Sequence, residues 1–231
     1  MKPGATAIST RLKAPRAAAI AGILFSILLI ITLLLLRWSV PADPLETGSW
    51  LQAHSNRVAL ALNLTPFAGI AFLWFIGVLR DRLGEQEDRF FATVFLGSGL
   101  LFIAMLFVSA AIAGGVIIIY TADAKDLIGS AAFALARAMT YEVMNVYAIK
   151  MAGVFMIATS TLAIRTGFIA RWIAWLGYAL ALLLLFSSRY IEEILLVLPL
   201  WVLLTSGYIL IDNLRPPPPT AAIHTEPERH E

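Results

Sequence analysis

The sequence predicts an all-α fold: a polytopic transmembrane helix bundle of six spans, both termini cytoplasmic, with the second to fourth helices projecting on the outer side. Three observations carry that prediction. Of 231 residues, 60% are hydrophobic and only 14% charged, whereas a soluble domain carries about a quarter charged residues; the mean hydropathy is +0.83. The apolar residues gather into long runs. The Lys and Arg residues between those runs favour alternate loops.

A spanning helix needs about 20 mainly apolar residues. Six segments answer to this: Ala17–Leu36, Val58–Leu79, Phe91–Ile112, Asn145–Ile164, Trp172–Ser187 and Glu192–Ile211. The first follows a basic leader (Lys2, Arg11, Lys13, Arg16), but its apolar run exceeds the ~7–15 residues of a secretory signal core, so it reads as an uncleaved span. One set of loops holds these four cations with Arg80, Arg82, Arg89, Arg165, Arg171, Arg215 and Arg229, eleven in all. The alternate set holds five: Arg37, Arg57, Lys125, Arg137 and Arg189. The excess marks the cytoplasmic side, and an even number of spans returns both termini to it. Trp38, Tyr120, Tyr141, Tyr147 and Tyr190 fall near the outer interface and Trp172, Trp175 and Tyr208 near the inner one, as aromatic belts do. Trp201 lies mid-span and reads as packing.

On the outer side three helices outgrow the bilayer. Ser49-Trp-Leu-Gln52 has capping-box form, so the second helix begins near Trp50. The third run continues to Tyr120, and the fourth helix starts soon after Asp123, a candidate N-cap, with a tight hairpin at Thr121–Lys125. Helices of about 30 residues are roughly 45 Å long, against a hydrocarbon core of about 30 Å. Small residues at four-residue spacing (Ser109 and Ala113, Ala110 and Gly114, Ala111 and Gly115) predict close packing against a neighbouring helix. The inner loop Arg80–Arg89 reads as a charged connector in which Glu87 or Asp88 caps the third helix. Residues 1–16 form a basic cytoplasmic segment, 17–212 the six-helix domain, and 213–231 a disordered, Pro-rich cytoplasmic tail.

Cysteine is absent, which removes disulfides, thiol catalysis and Cys-ligated metals. His54, His224 and His230 all lie outside the apolar segments, and no G-x-x-x-x-G-K-[ST] sequence is present to cradle a nucleotide. No enzyme activity, cofactor, metal or nucleic-acid partner is expected. The expected partners are the lipid bilayer and a second copy or another membrane protein.

An ionisable group inside a span is a functional hypothesis in its own right, and Lys150 is the sharpest case. Its ammonium either snorkels to the headgroups, pairs with Glu192 or Glu193, or serves a ligand or proton. Glu142, Asn145 and Lys150 share an arc of about 140° on a helical wheel, a stripe that suits other helices or an outer vestibule better than lipid. Asn63 precedes Thr65 and Pro66, where proline frees a carbonyl of the preceding turn. Glu192 and Glu193 occupy the first turn of the sixth helix, where acids complement the dipole.

Arg165-Thr-Gly-Phe-Ile-Ala-Arg-Trp172, then Leu176-Gly177, and Leu198-Pro-Leu-Trp-Val202 resemble an uncharacterised family of small bacterial polytopic membrane proteins. Its later helices carry an R-x-G-F-[LI]-x-R-W connector and a P-L-W run. The resemblance covers the C-terminal part of the chain. It implies a bacterial inner membrane and six or seven helices, and it carries over no catalytic residue. Phe95-Leu-Gly97 also parallels Trp175-Leu-Gly177, as duplication of a helical hairpin would produce. Together these features predict an integral membrane protein acting as a non-catalytic subunit or scaffold. The alternative is a transporter or channel-like protein with a polar site in the outer half around Lys150, Glu142 and Asn63.

Overall fold

The computed structural model describes residues 14–41, 43, 46, 48–83, 89–122, 127–186 and 192–214. Among them the chain is helical, without strands: α1 Ala14–Arg37, α2 Leu51–Leu83, α3 Arg89–Ala122, α4 Ala131–Thr166, α5 Arg171–Phe186, and a 3₁₀ turn Glu192–Leu196 leading into α6 Val197–Leu214. Five of these segments are long and apolar enough to cross a membrane, and α5, with 16 residues, is a shorter apolar helix. Residues 1–13, 84–88 with Glu87 and Asp88, and 215–231 with the Pro-rich stretch lie outside the described residues; residues 80–83 continue α2, Arg89 opens α3, and α6 runs on to Leu214.

The middle helices run to 33, 34 and 36 residues, about 50 Å each. They overrun the apolar spans read from the sequence because polar residues continue the helix on its exposed side: Gln52, Asn56 and Arg57 face outward while Leu51 and Val58 are buried. The first turn of α2 begins where the capping box predicted, but by other means. The Ser49 hydroxyl donates to Glu46 Oε1 at 2.9 Å instead of capping the helix. The start of α4 is capped by Ser130, whose hydroxyl accepts from the Phe133 N–H at 3.2 Å; Asp123, the expected cap, lies outside the described residues. Thr121 and Ala122 of the expected hairpin belong to α3, and residues 123–125 lie outside the described residues. A separate small core of Leu51, Val116, Leu127 and Phe133 joins the start of α2, the end of α3 and the start of α4.

Successive helices are spatial neighbours, and α6 returns against α1 to close the bundle. Phe72 of α2 is the hub of the main core. Its ring lies 4.4 Å from Phe25 of α1, 5.5 Å from Phe102 of α3 and 5.1 Å from Phe155 of α4. Trp201 packs as expected, 1% exposed, with its indole N–H donating to the Ile173 carbonyl. Trp172 and Trp175 are 58% and 65% exposed, as interfacial anchors are.

Close helix approach occurs at glycines other than those the small-residue spacing picked out. A Cβ on Gly22 would fall 2.0 Å from Ser206 Oγ, and one on Gly177 2.2 Å from Ser160 Oγ. Gly114 and Gly115 have nothing within 4 Å of a Cβ. The small-residue face divides: Ser109, 5% exposed, donates to the Thr140 carbonyl of α4 at 3.1 Å, as close packing requires, whereas Ala110 and Ala113 line a cavity. The two segments of the hairpin echo sit in different surroundings: Gly97 is open where Gly177 is clamped, and Phe95 is buried where Trp175 is exposed. The connector between α4 and α5 is a short turn of four residues, 167–170. Gly167 ends α4 in the left-handed region (φ +69) with its N–H on the Ala163 carbonyl, a conformation that favours glycine. The Arg165 guanidinium stacks 4.5 Å over Phe91 of α3.

Candidate functional site

Most hydroxyls buried in the spans are spent on their own helix. Ser26, Thr65, Ser98, Thr159 and Thr205 each donate to the carbonyl four residues back, the local solution to a polar group in an apolar medium. Thr32, Ser160 and Ser206 make no hydrogen bond. Ser160 and Ser206 face the glycines at the tight crossings, and Ser39, also without a partner, lies in the turn after α1; Thr32 is the unpartnered hydroxyl inside a helix that lines open space.

Thr32 lines a cavity of about 400 Å³. Its walls come from the end of α1, the first half of α2, the last half of α3 and the first half of α4, with Leu195 and Leu196 of the 3₁₀ turn. Two local irregularities shape it. Pro66 cannot donate to the carbonyl of Leu62, and Leu62 and Thr65 both line the space. In α4 the backbone passes through a π-turn at Val143–Ala148, and Met144 and Asn145 from this turn also line it. Such π-turns recur at functional sites because the widened turn re-aims side chains. The π-turn also slips the helical phase, so the wheel relating Glu142, Asn145 and Lys150 does not hold across it.

Arg137 closes the rim. It reaches from α4 to the loop after α1, donating from Nη2 to the carbonyls of Pro41 at 3.0 Å and Asp43 at 2.8 Å, and lies 3.5 Å from Glu46 Oε2. Its guanidinium also sits over Trp50 at 5.6 Å and Phe133 at 6.0 Å. Glu46 in turn accepts from the Gly48 N–H, which shapes the entry into α2. Sequence reasoning had counted Arg137 only as a loop cation. The available signal was a single guanidinium in the run Ala131–Glu142, facing a loop that carries Asp43 and Glu46.

The other sequence-predicted residues are distributed over α2, α4 and the 3₁₀ turn. Lys150, partly buried, donates from Nζ to the Leu184 carbonyl at 3.2 Å and to that of Leu185, so its ammonium caps the last turn of α5. Asn145 donates to the Tyr141 carbonyl of its own helix at 3.1 Å while lining the cavity. Glu142, partly buried, stands at the junction into the π-turn and is not among the lining residues. Asn63 is exposed on the surface of α2. Glu192 and Glu193 fall in the 3₁₀ turn ahead of α6, and their side chains lie outside the described residues. Among the described residues no three His, Asp or Glu side chains come together to hold a metal.

No protein-family model, curated protein or solved structure matches the chain.

Proposed function

We propose that the chain is a non-catalytic integral membrane protein, a membrane subunit or scaffold, crossing a bacterial inner membrane six times with both termini in the cytoplasm. The use made of Lys150 carries this reading. A cation at a helix C-terminus complements the macrodipole and the last carbonyls, so the intramembrane charge best suited to transport is committed to holding α5 against α4. The Lys and Arg bias supports the orientation, and the resemblance of the C-terminal part supports the bacterial membrane. At 16 residues, α5 is about 24 Å long, a deficit that local bilayer thinning accommodates.

The cysteine-free sequence makes single-cysteine reporters clean. Gln52→Cys reacts with a membrane-impermeant maleimide in intact cells, whereas Thr166→Cys and Asp212→Cys react only after permeabilisation. Labelling of Asp212→Cys in intact cells would mean that α5 does not cross. For the role itself, blue-native electrophoresis of native membranes gives an assembly larger than the purified chain; identical migration contradicts the subunit reading. Lys150→Met in nanodiscs loses about 1.5–3 kcal/mol, the worth of hydrogen bonds from a charged donor, seen as a lower thermal midpoint. An unchanged midpoint would remove the structural role. A second reading, a transporter or channel-like protein with a polar site in the outer half, is favoured by the cavity that Asn145 lines. Its test is solute flux in proteoliposomes that Asn145→Leu abolishes.

A further inference from the structure

We propose that the cavity between α1, α2, α3 and α4 binds one uncharged amphiphile, a single apolar chain or ring system ending in a hydroxyl or carbonyl. The site stands whether the chain is a subunit or a transporter. Its volume of about 400 Å³ lies at the small end of the ~300–1,000 Å³ typical of small-molecule sites. Along α3 the lining runs from Leu106 to Ile117, about 16 Å by helix rise, room for one extended apolar body.

The lining sets the chemistry of the occupant. Aliphatic side chains such as Leu33, Leu62 and Val116 form most of the wall and call for an apolar body. Two donors remain unspent: the hydroxyl of Thr32, a residue 1% exposed, and the indole N–H of Trp50. A buried donor without a partner costs about 1–3 kcal/mol; both atoms are covered by the wall, and a turn about χ1 of Thr32 brings its hydroxyl to an oxygen of the ligand head. Asn145 spends one amide N–H on Tyr141 and keeps its carbonyl oxygen as an acceptor for a ligand O–H.

Charge argues for a neutral head. Arg137 at the rim is held by Glu46 and two backbone carbonyls, and Arg37 also has a partner. A carboxylate or phosphate would have to compete with Glu46 for Arg137. The π-turn and Pro66 converge on this space from two helices, which gives the polar groups a reason to interrupt otherwise regular spans.

The test is photolabelling of the full-length chain in nanodiscs. The probe is a long-chain primary alcohol carrying a mid-chain diazirine, compared with the matched fatty acid. Saturable labelling of cavity residues by the alcohol, displaced by unlabelled alcohol and weaker with the acid, is the expected result. Thr32→Val keeps the shape and lowers apparent affinity roughly five-fold, the worth of one neutral hydrogen bond. Ala113→Phe fills the space and abolishes the specific label; should it fail to fold, Thr32→Val still decides. Three results would overturn the proposal: non-saturable labelling confined to exposed residues such as Phe67 and Ile118, equal labelling by the fatty acid, or unchanged affinity in Thr32→Val.

Discussion

Replacing Arg137 by Gln removes the tie between α4 and the loop after α1, and its cost can be worked from the contacts. Hydrogen bonds from a charged donor are worth about 1.5–3 kcal/mol each. Both carbonyl acceptors, Pro41 and Asp43, are solvent-exposed and regain water when released, so the pair contributes roughly 2 kcal/mol together. The Glu46 contact at 3.5 Å is long, with Glu46 26% exposed, and adds less than about 1 kcal/mol. The expected loss of about 2–3 kcal/mol is local, because the main aromatic core around Phe72 is untouched. Hydrogen–deuterium exchange in nanodiscs reads it directly. Amides of the loop and the first turn of α2 exchange about 30- to 150-fold faster in Arg137→Gln, while amides in the middle of α2 and α4 hardly change. Glu46→Gln leaves the carbonyl bonds in place and moves loop exchange by less than about five-fold. If Glu46→Gln matched Arg137→Gln, the ion pair and not the carbonyl clamp would hold the loop. If neither changed exchange, the clamp would have no energetic role.

Alanine at different glycines separates true crossings from apparent ones. Gly22→Ala and Gly177→Ala push a Cβ against Ser206 and Ser160 and lose about 1–3 kcal/mol by overpacking, whereas Gly114→Ala and Gly115→Ala gain up to about 1 kcal/mol of helix propensity. Thermal midpoints in one nanodisc preparation rank the four variants, and equal losses at all four would contradict the packing described. Gly167→Ala costs about 1–2 kcal/mol because φ +69 disfavours a Cβ; a midpoint equal to wild type would mean the connector relaxes at no cost.

The helical, apolar character was legible because it depends on segment composition alone. Apolar runs report the solvent around a segment, and no partner need be known to read them. Helix ends were less legible. The far ends of α2, α3 and α4 are held by the small core around Phe133 and by the Arg137 clamp, contacts whose partners lie far apart in sequence. The small-residue face was legible at Ser109, which meets α4, and not at its glycines, for the same reason: Gly114 and Gly177 sit in similar apolar runs, and only the arrival of another helix distinguishes them.

The candidate site divides in the same way. That Lys150 needs a partner followed from one residue and the physics of an apolar medium; that the partners include the last carbonyls of α5 required that helix to be in place. Asn145 was named from its type and position, but its access to the cavity depends on a π-turn that no proline or glycine announces. Thr32 carried no signal, since hydroxyls in spans ordinarily bond their own helix. The sequence by itself determined an all-helical chain built for an apolar solvent, because burial in lipid acts on each residue separately. Only the tertiary structure decided which polar groups remain unspent and where open space lies, because those depend on what neighbouring helices bring to each position.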